Sequence, residues 1–137
     1  KAVATVDAAG KVTVKGPGVA KITVKAAATT DYKAASKTVT VTVAPKKQSI
    51  SLINKIKKQL TIKWKKNTKA SGYQVVYSTN KKFTGKKTVR KAKTTTSYKI
   101  KGLKKGKKYY VKVRSYKTVN GKRIYGAYST AKKATIK

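Results

Sequence analysis

The part of the chain after Pro45 carries a one-sided charge that constrains every fold it could adopt. Of the 137 residues, 37 are Lys or Arg and only 2 are Asp or Glu. Both acidic residues, Asp7 and Asp31, precede Pro45, whereas 30 basic residues and no acid follow it. Such a charge attracts polyanions over a distance, and its self-repulsion destabilises a compact state. The positive field therefore belongs to the second segment.

A regular alternation of apolar and polar residues runs through both segments. Residues 39–43 read Val-Thr-Val-Thr-Val, and residues 109–114 read Tyr-Tyr-Val-Lys-Val-Arg. A period of two gives a β-strand one face to bury and one face in water, whereas a disordered basic tail lacks this pattern. No segment shows the period of a helix. The sequence therefore predicts a folded, all-β protein.

The second segment supplies the bulky residues of a predicted core. Trp64 is expected to fill its centre, and the Asn120-Gly121 dipeptide predicts the type I′ turn of a hairpin. The last strand is expected to run from about Tyr128 to Ile136. The residues predicted to share inward strand faces are Leu60, Ile62 and Trp64; Tyr73, Val75 and Tyr77; and Tyr109, Val111 and Val113.

The first segment, residues 1–44, resembles the second half of a bacterial Ig-like group 2 domain. The resemblance rests on residues 3–7, 10–12, 16–24 and 38–43, which include Val-Ala-Thr-Val-Asp and Gly-Pro-Gly-Val-Ala-Lys-Ile-Thr-Val. In that family one or two strands precede the first of these motifs. The resemblance implies a sandwich that is incomplete at its N-terminus and further domains upstream in the same polypeptide. About 45 residues are also few for a stable apolar core.

Residues 45–48 are predicted to form a short polar linker. Pro45 has no N–H to donate to a sheet ladder and so ends the strand before it.

The segment from residue 48 to residue 137 resembles a fibronectin type III domain, which we place at residues 49–137. The resemblance rests on Trp64, then Gly-Tyr-x-Val-x-Tyr at 72–77, then Leu-x-x-Gly-x-x-Tyr-x-Val-x-Val at 103–113. It implies that Leu103 and Tyr109 form the family's tyrosine corner, in which the phenol bonds to nearby backbone. The predicted architecture is two tandem Ig-like β-sandwiches. The Lys-rich turn after Leu103 is similar to secreted Gram-positive versions, which implies a secreted or cell-surface location.

The composition excludes most catalytic chemistry. The chain has no His and no Cys, so Ser-His-Asp catalysis, Cys-His catalysis and thiolate metal sites are ruled out. Two carboxylates in the first segment cannot fill a metal shell, and nothing pairs them for glycoside hydrolysis. No apolar run approaches the roughly 20 residues of a membrane span. We expect no enzyme, no metal, no cofactor and no transmembrane segment.

A candidate ligand-binding face follows from the strand alternation around residues 109–116. With Tyr109, Val111 and Val113 inward, the side chains expected outward are Tyr110, Lys112, Arg114 and Tyr116, flanked by Gln74 and Val76 from the neighbouring strand. Aromatic rings beside cations suit sugars or nucleobases by stacking and anions by charge. The alternative is that outward tyrosines are ordinary strand surface.

Three functions compete on this basis. The leading hypothesis is a surface-association module whose basic domain contacts cell-wall teichoic acid, acidic or sulfated glycans, or mucin. The second is a passive spacer that presents an upstream domain. The third is nucleic-acid binding, which 30 positive charges permit but for which no sequence-reading motif is present.

Overall fold

The computed structural model describes residues 2–137, which form twelve β-strands and no helix. The all-β prediction is therefore confirmed. The chain divides into two compact units, of which the first ends at Val43 and the second comprises Ala44–Lys137.

The first unit consists of two separate antiparallel strand pairs. Its strands are β1 (Ala4–Val6), β2 (Val12–Val14), β3 (Gly18–Ala26) and β4 (Ala35–Val43), with β1 paired to β2 and β3 paired to β4. Among residues 2–43 only Gly18 is buried, and Val24 is 62% exposed. The apolar side chains of these strands thus remain largely in solvent within the unit.

The second unit is built from two antiparallel sheets. Its strands are β5 (Ile50–Ile53), β6 (Leu60–Trp64), β7 (Gly72–Ser78), β8 (Lys87–Ala92), β9 (Ser97–Ile100), β10 (Lys108–Val119), β11 (Lys122–Tyr125) and β12 (Lys132–Thr135). One sheet has the order β5-β6-β9. The other has the order β11-β10-β7-β8, and β12 also pairs with β10.

The core of the second unit contains the inward residues of both sheets. Trp64 and Tyr73 come from different sheets, and their ring centroids lie 5.4 Å apart in a tilted arrangement. Leu103 is buried in the same core, against which Tyr109 packs. The Tyr109 hydroxyl accepts a hydrogen bond of 3.4 Å from the backbone N–H of Lys104. The buried members are Ile50, Leu60, Ile62, Trp64, Tyr73, Val75, Ile100, Leu103, Val111, Val113 and Ile136.

The hairpin between β10 and β11 turns at Asn120 and Gly121. Their φ angles are 47° and 74°. A two-residue connection with positive φ at both positions is the geometry of a type I′ turn, which matches the twist of the flanking strands. This hairpin carries β11 back alongside the end of β10.

The last strand is shorter than predicted, since β12 begins at Lys132 and not near Tyr128. The Ser129 backbone N–H donates to the carbonyl of Val113 at 2.7 Å, and the Ser129 hydroxyl accepts from the Val113 N–H at 3.0 Å. A side-chain oxygen thus replaces a backbone acceptor, so the ladder is interrupted between β11 and β12. This interruption corrects the sequence-based strand boundary.

Residues 45–48, the predicted linker, pack as part of the second unit. Pro45 and Gln48 are buried. The Ser115 hydroxyl donates to the Lys46 carbonyl at 3.2 Å, and the Gln48 side-chain amide donates to the Ser115 hydroxyl at 3.4 Å. Ser115 on β10 is fully buried, so these bonds fix the entry of the chain into the sandwich.

Gly126 sits where the interrupted strand crosses residue 45. Its N–H donates to the Ser115 carbonyl at 2.9 Å, and a Cβ added at Gly126 would collide with the backbone carbonyl oxygen of Pro45. We expect Gly126→Ala to lower the free energy of unfolding by about 1–3 kcal/mol, the usual cost of overpacking. Urea unfolding measures this, with Ala127→Ser at the exposed neighbouring position as the control. Equal stability of the two variants would contradict the close approach.

Candidate ligand-binding face

The outward side of the sheet β11-β10-β7-β8, called here the outer face, is set by the alternation of β10. Val111, Val113 and Ser115 are fully buried. The alternate residues Tyr110, Lys112, Arg114 and Tyr116 are half-buried and point the other way. Across the sheet they lie opposite Ser78, Val76, Gln74 and Gly72 of β7, respectively.

Gln74 and Val76 share this face but are not available to a ligand in the way the sequence suggested. Val76 is 1% exposed and Gln74 is 7% exposed. The Gln74 side-chain oxygen accepts two hydrogen bonds, from Arg114 Nε at 2.7 Å and from the Tyr128 hydroxyl at 3.0 Å. Both residues lie on the expected face but are buried there, because Gln74 bonds to and orients Arg114 and Val76 lies beneath the surface.

Five side chains of the outer face alternate between rings and cations, and we call them the ring–cation stack. Lys112 Nζ lies 4.1 Å from the ring centroid of Phe83 and 4.4 Å from that of Tyr128. The guanidinium carbon of Arg114 lies 4.3 Å from the centroid of Tyr128 and 3.8 Å from that of Tyr125. Lys112 and Arg114 are two residues apart on one strand, so the Tyr128 ring lies between them.

Tyr116 makes further ring and cation contacts next to the stack. The rings of Tyr116 and Tyr125 are 5.8 Å apart, and the guanidinium carbon of Arg123 lies 5.5 Å from the centroid of Tyr116. Gly72 makes room for this ring, since a Cβ there would lie 2.5 Å from the Tyr116 hydroxyl oxygen. Tyr116 therefore belongs to the outer face as a partner of cations.

The stack has a plain electrostatic cause. The second unit contains no Asp or Glu that could pair with Lys112 or Arg114. The face of an aromatic ring carries partial negative charge and attracts a cation within about 6 Å. Because cations approach the rings of Tyr125 and Tyr128, these ring faces are less accessible to a sugar or a base. The outer face presents fixed cations more than free rings.

Most of the positive charge lies at the surface of the second unit. Every Lys and Arg of this unit is exposed except Lys91, Lys112, Arg114 and Lys117, which are half-buried. Long basic side chains in loops keep their charged ends hydrated. The turn at 104–107 and the first residue of β10 together carry four exposed lysines.

A small cavity of about 190 Å³ lies at one end of the sandwich. Tyr77, Tyr109, Lys87 and Lys101 are among its lining residues. Burial raises the pKa of Tyr77, and negative charge on Tyr98 or Tyr109 would raise that pKa further. The cavity holds no carboxylate or imidazole for proton transfer, since the unit has none. Residues 2–137 also contain no cluster of three potential metal-ligating side chains, and no helix in this range could span a membrane.

Sequence reasoning missed several members of the outer face. Phe83 follows β7 in a loop, and Tyr125 and Tyr128 flank the interruption before β12, so strand alternation along β10 does not find them. Arg90 also lies on this face, opposite Gln74. The signal that could have found the tyrosines is the Tyr-Gly-Ala-Tyr-Ser run at 125–129, which places two rings three residues apart.

The stack predicts a difference between two substitutions of Tyr128. Tyr128→Phe removes only the hydrogen bond to Gln74 and should cost about 0.5–1.5 kcal/mol of unfolding free energy. Tyr128→Ala also leaves Lys112 and Arg114 without the ring between them and should cost clearly more. Urea unfolding at low salt measures both, because guanidinium salts would screen the charges.

The control for these substitutions is Tyr110, which lies on the same face opposite Ser78 and Lys133. Within residues 2–137 its ring makes no cation contact. The free energies of unfolding of Tyr110→Ala and Tyr110→Phe should therefore differ less than those of the two Tyr128 variants. If Tyr128→Ala were no worse than Tyr128→Phe, the stack would have no energetic role.

Comparison with known proteins agrees with this architecture. The family described as fibronectin type III domain matches residues 43–131. A Kelch domain-containing protein of Sulfurisphaera tokodaii is 36% identical over 85 residues, and the match covers 62% of this chain and 11% of that protein.

Two solved structures share the fold at low sequence identity. The sixth fibronectin type III domain of human fibronectin type III domain containing protein 3 is 16% identical, with a TM-score of 0.57 over 70% of this chain and 89% of that one. A myokine structure is 15% identical, with a TM-score of 0.54 over 68% of this chain and 98% of that one. Together with the sandwich and the family match, these likenesses establish that the chain belongs to the fibronectin type III family.

Proposed function

We propose that the fibronectin type III domain is a non-catalytic surface-association module of a larger secreted bacterial protein. It contacts anionic polymers, namely cell-wall teichoic acid, acidic or sulfated glycans, or mucin. The observation that carries this proposal is the 30 basic residues after Pro45, nearly all exposed, with no acidic residue among them.

The charge exceeds what solubility requires. A mixture of both signs on the surface keeps a small domain soluble without strong self-repulsion. Here the only negative partners inside the unit are ring faces and hydrogen-bond acceptors, so most of the repulsion is relieved only by ions from outside. A polyanion supplies many such charges at once. Its binding therefore both attaches the domain and stabilises it.

The family supports a module over an enzyme. Fibronectin type III domains are generally non-catalytic binding or structural modules, and the domain fits a module of a larger protein. The second unit also lacks every acid, His and Cys. Attachment then serves whatever activity the rest of the polypeptide holds.

The first unit enters the proposal as part of an Ig-like domain of the bacterial group 2 type, spanning residues 1–44. Its support is the sequence motifs together with the two nine-residue strands β3 and β4. Upstream domains of the same polypeptide would supply the specific activity, and the secreted or cell-surface location belongs to the same proposal.

A passive spacer is the first alternative. Two compact β units in tandem suit a stalk, and a stalk needs no ligand. Non-specific nucleic-acid binding is the second alternative, because phosphate contacts by many lysines give salt-dependent affinity without sequence recognition. A panel of ligands separates these alternatives.

The test is binding of the intact chain to isolated cell walls, teichoic acid, a sulfated glycan, mucin and random-sequence DNA at two salt concentrations. We expect micromolar or tighter binding to at least one wall polymer or acidic glycan near physiological salt. Raising NaCl from about 0.1 M to about 0.5 M should weaken it by at least about tenfold, because several phosphate or sulfate contacts each release a counterion. Salt-insensitive or absent binding favours the spacer.

Matched charge variants locate the binding. Replacing the exposed Lys104, Lys105, Lys107 and Lys108 by Gln should weaken binding and reduce its salt dependence. Replacing the exposed Lys11, Lys21, Lys25 and Lys37 of the first unit by Gln removes the same charge and should weaken binding less. Equal losses would mean that net charge alone attracts the polymer. Preference for DNA over every glycan and wall polymer would favour the nucleic-acid alternative.

A further inference from the structure

Arginine is rare in this basic chain, and its positions are not scattered. Among 37 basic residues only Arg90, Arg114 and Arg123 are arginines. They occupy β8, β10 and β11 of the same four-stranded path. The other sheet, β5-β6-β9, contains only lysines among its basic strand residues.

Strand register places all three arginines on the outer face. Arg90 lies opposite Gln74, and Gln74 lies opposite Arg114. Directly opposed residues share one face of a sheet. Arg123 lies opposite Thr118, which is four residues from Arg114 on β10 and so points to the same side. Lysines fill the remaining surface, but each arginine contributes to this face.

Arg90 and Arg114 form a row with Gln74 between them. Neighbouring strands are about 4.8 Å apart, so the backbones of the two arginines are separated by about 10 Å. An arginine side chain spans a large part of that distance. The two guanidinium groups can therefore approach one small group above Gln74 from opposite sides.

The two arginines differ in freedom. Arg114 is half-buried, stacked by Tyr125 and Tyr128, and bonded through Nε to Gln74. A guanidinium has five N–H donors. At Arg114, the Nε–H donates to Gln74, and no acceptor within residues 2–137 pairs with the four N–H groups of the terminal nitrogens. Arg90 is exposed. The Arg114 guanidinium is thus held in place with its terminal donors unused, and the exposed Arg90 guanidinium can move toward a ligand.

Resting on the proposed function, we propose that Arg90 and Arg114 form a site for a sulfate or phosphate monoester group on the bound polymer. Such a group has three free oxygens. Two can accept a bidentate pair from one guanidinium, and the third can accept from the other. A carboxylate or a phosphodiester has only two free oxygens, so both guanidinium groups would have to share the same two acceptors. Lys112, held two residues along β10, adds a point charge for a neighbouring group.

The test replaces arginine by lysine, which keeps the charge and removes the planar fork. Arg90→Lys and Arg114→Lys are each expected to weaken binding of the intact chain to a sulfated glycan by about tenfold, as for loss of a charge-assisted bidentate pair. Calorimetry near physiological salt measures the affinity. Lys63→Arg on the exposed side of the other sheet is the control and should change nothing.

The ligand arms separate the sources of the group. The wild-type chain should prefer a sulfated glycan or a dextran carrying phosphomonoesters over hyaluronan, which carries carboxylates, and over teichoic acid, which carries phosphodiesters. The Arg→Lys variants should lose that preference. Whichever of the two esters binds more tightly identifies the group that the site takes.

Three results would overturn this site. Retention of wild-type affinity within about twofold by both lysine variants would mean that only charge matters. Equal affinity for sulfated glycan and hyaluronan would remove the need for a third oxygen. If Arg114→Lys lowered the free energy of unfolding and Arg90→Lys kept its affinity for the glycan, the stack would stabilise the fold without forming a binding site. Polyanion binding by the wild-type chain in each of these cases would leave the proposed function standing.

Discussion

The outer face depends on the contact of two cations of β10, Lys112 and Arg114, with aromatic rings from other parts of the second unit. Lys112 and Arg114 are half-buried, and the second unit contains no acidic side chain to pair with either of them. Partly desolvated cations need a compensating partner. Tyr128 lies between the two, and its position depends on the break between β11 and β12, where Ser129 bonds to Val113. The strand interruption and the ring–cation stack therefore belong to one arrangement.

This arrangement explains how a domain so positive can hold an ordered sheet surface. Its hydrophobic core consists of apolar and aromatic side chains, and its charges are distributed over exposed loops and strand faces. On most of the surface, lysines remain hydrated and flexible, so they attract anions without forming a site of fixed geometry. On the outer face, the stack and Gln74 hold Lys112 and Arg114 in place. We propose that diffuse attraction and recognition come from these different parts of the same domain.

The sequence predicted the fold better than it predicted the candidate face. Alternation along residues 109–114 depends only on a period of two, so the inward placement of Val111 and Val113 could be derived from it. The burial of Gln74 and Val76 could not be derived in this way. Gln74 bonds to Arg114 and to Tyr128, which are distant in sequence, and Val76 lies opposite Lys112 of β10. The start of β12 was misplaced for a similar reason. A side-chain acceptor at Ser129 interrupts the ladder without changing the apolar pattern.

The central claim is that the positioned cations of the outer face form a localised site for an anionic polymer, in addition to the diffuse attraction of the loop lysines. Backbone amide chemical shifts of the intact chain, followed during titration with a short sulfated oligosaccharide at about 0.15 M salt, test it most directly, since weak long-range attraction is then screened within about 8 Å. We predict that the shifts concentrate on β7, β8, β10 and β11. Shifts spread evenly over the lysine loops of both sheets and the first unit, or no shifts at all, would contradict the claim.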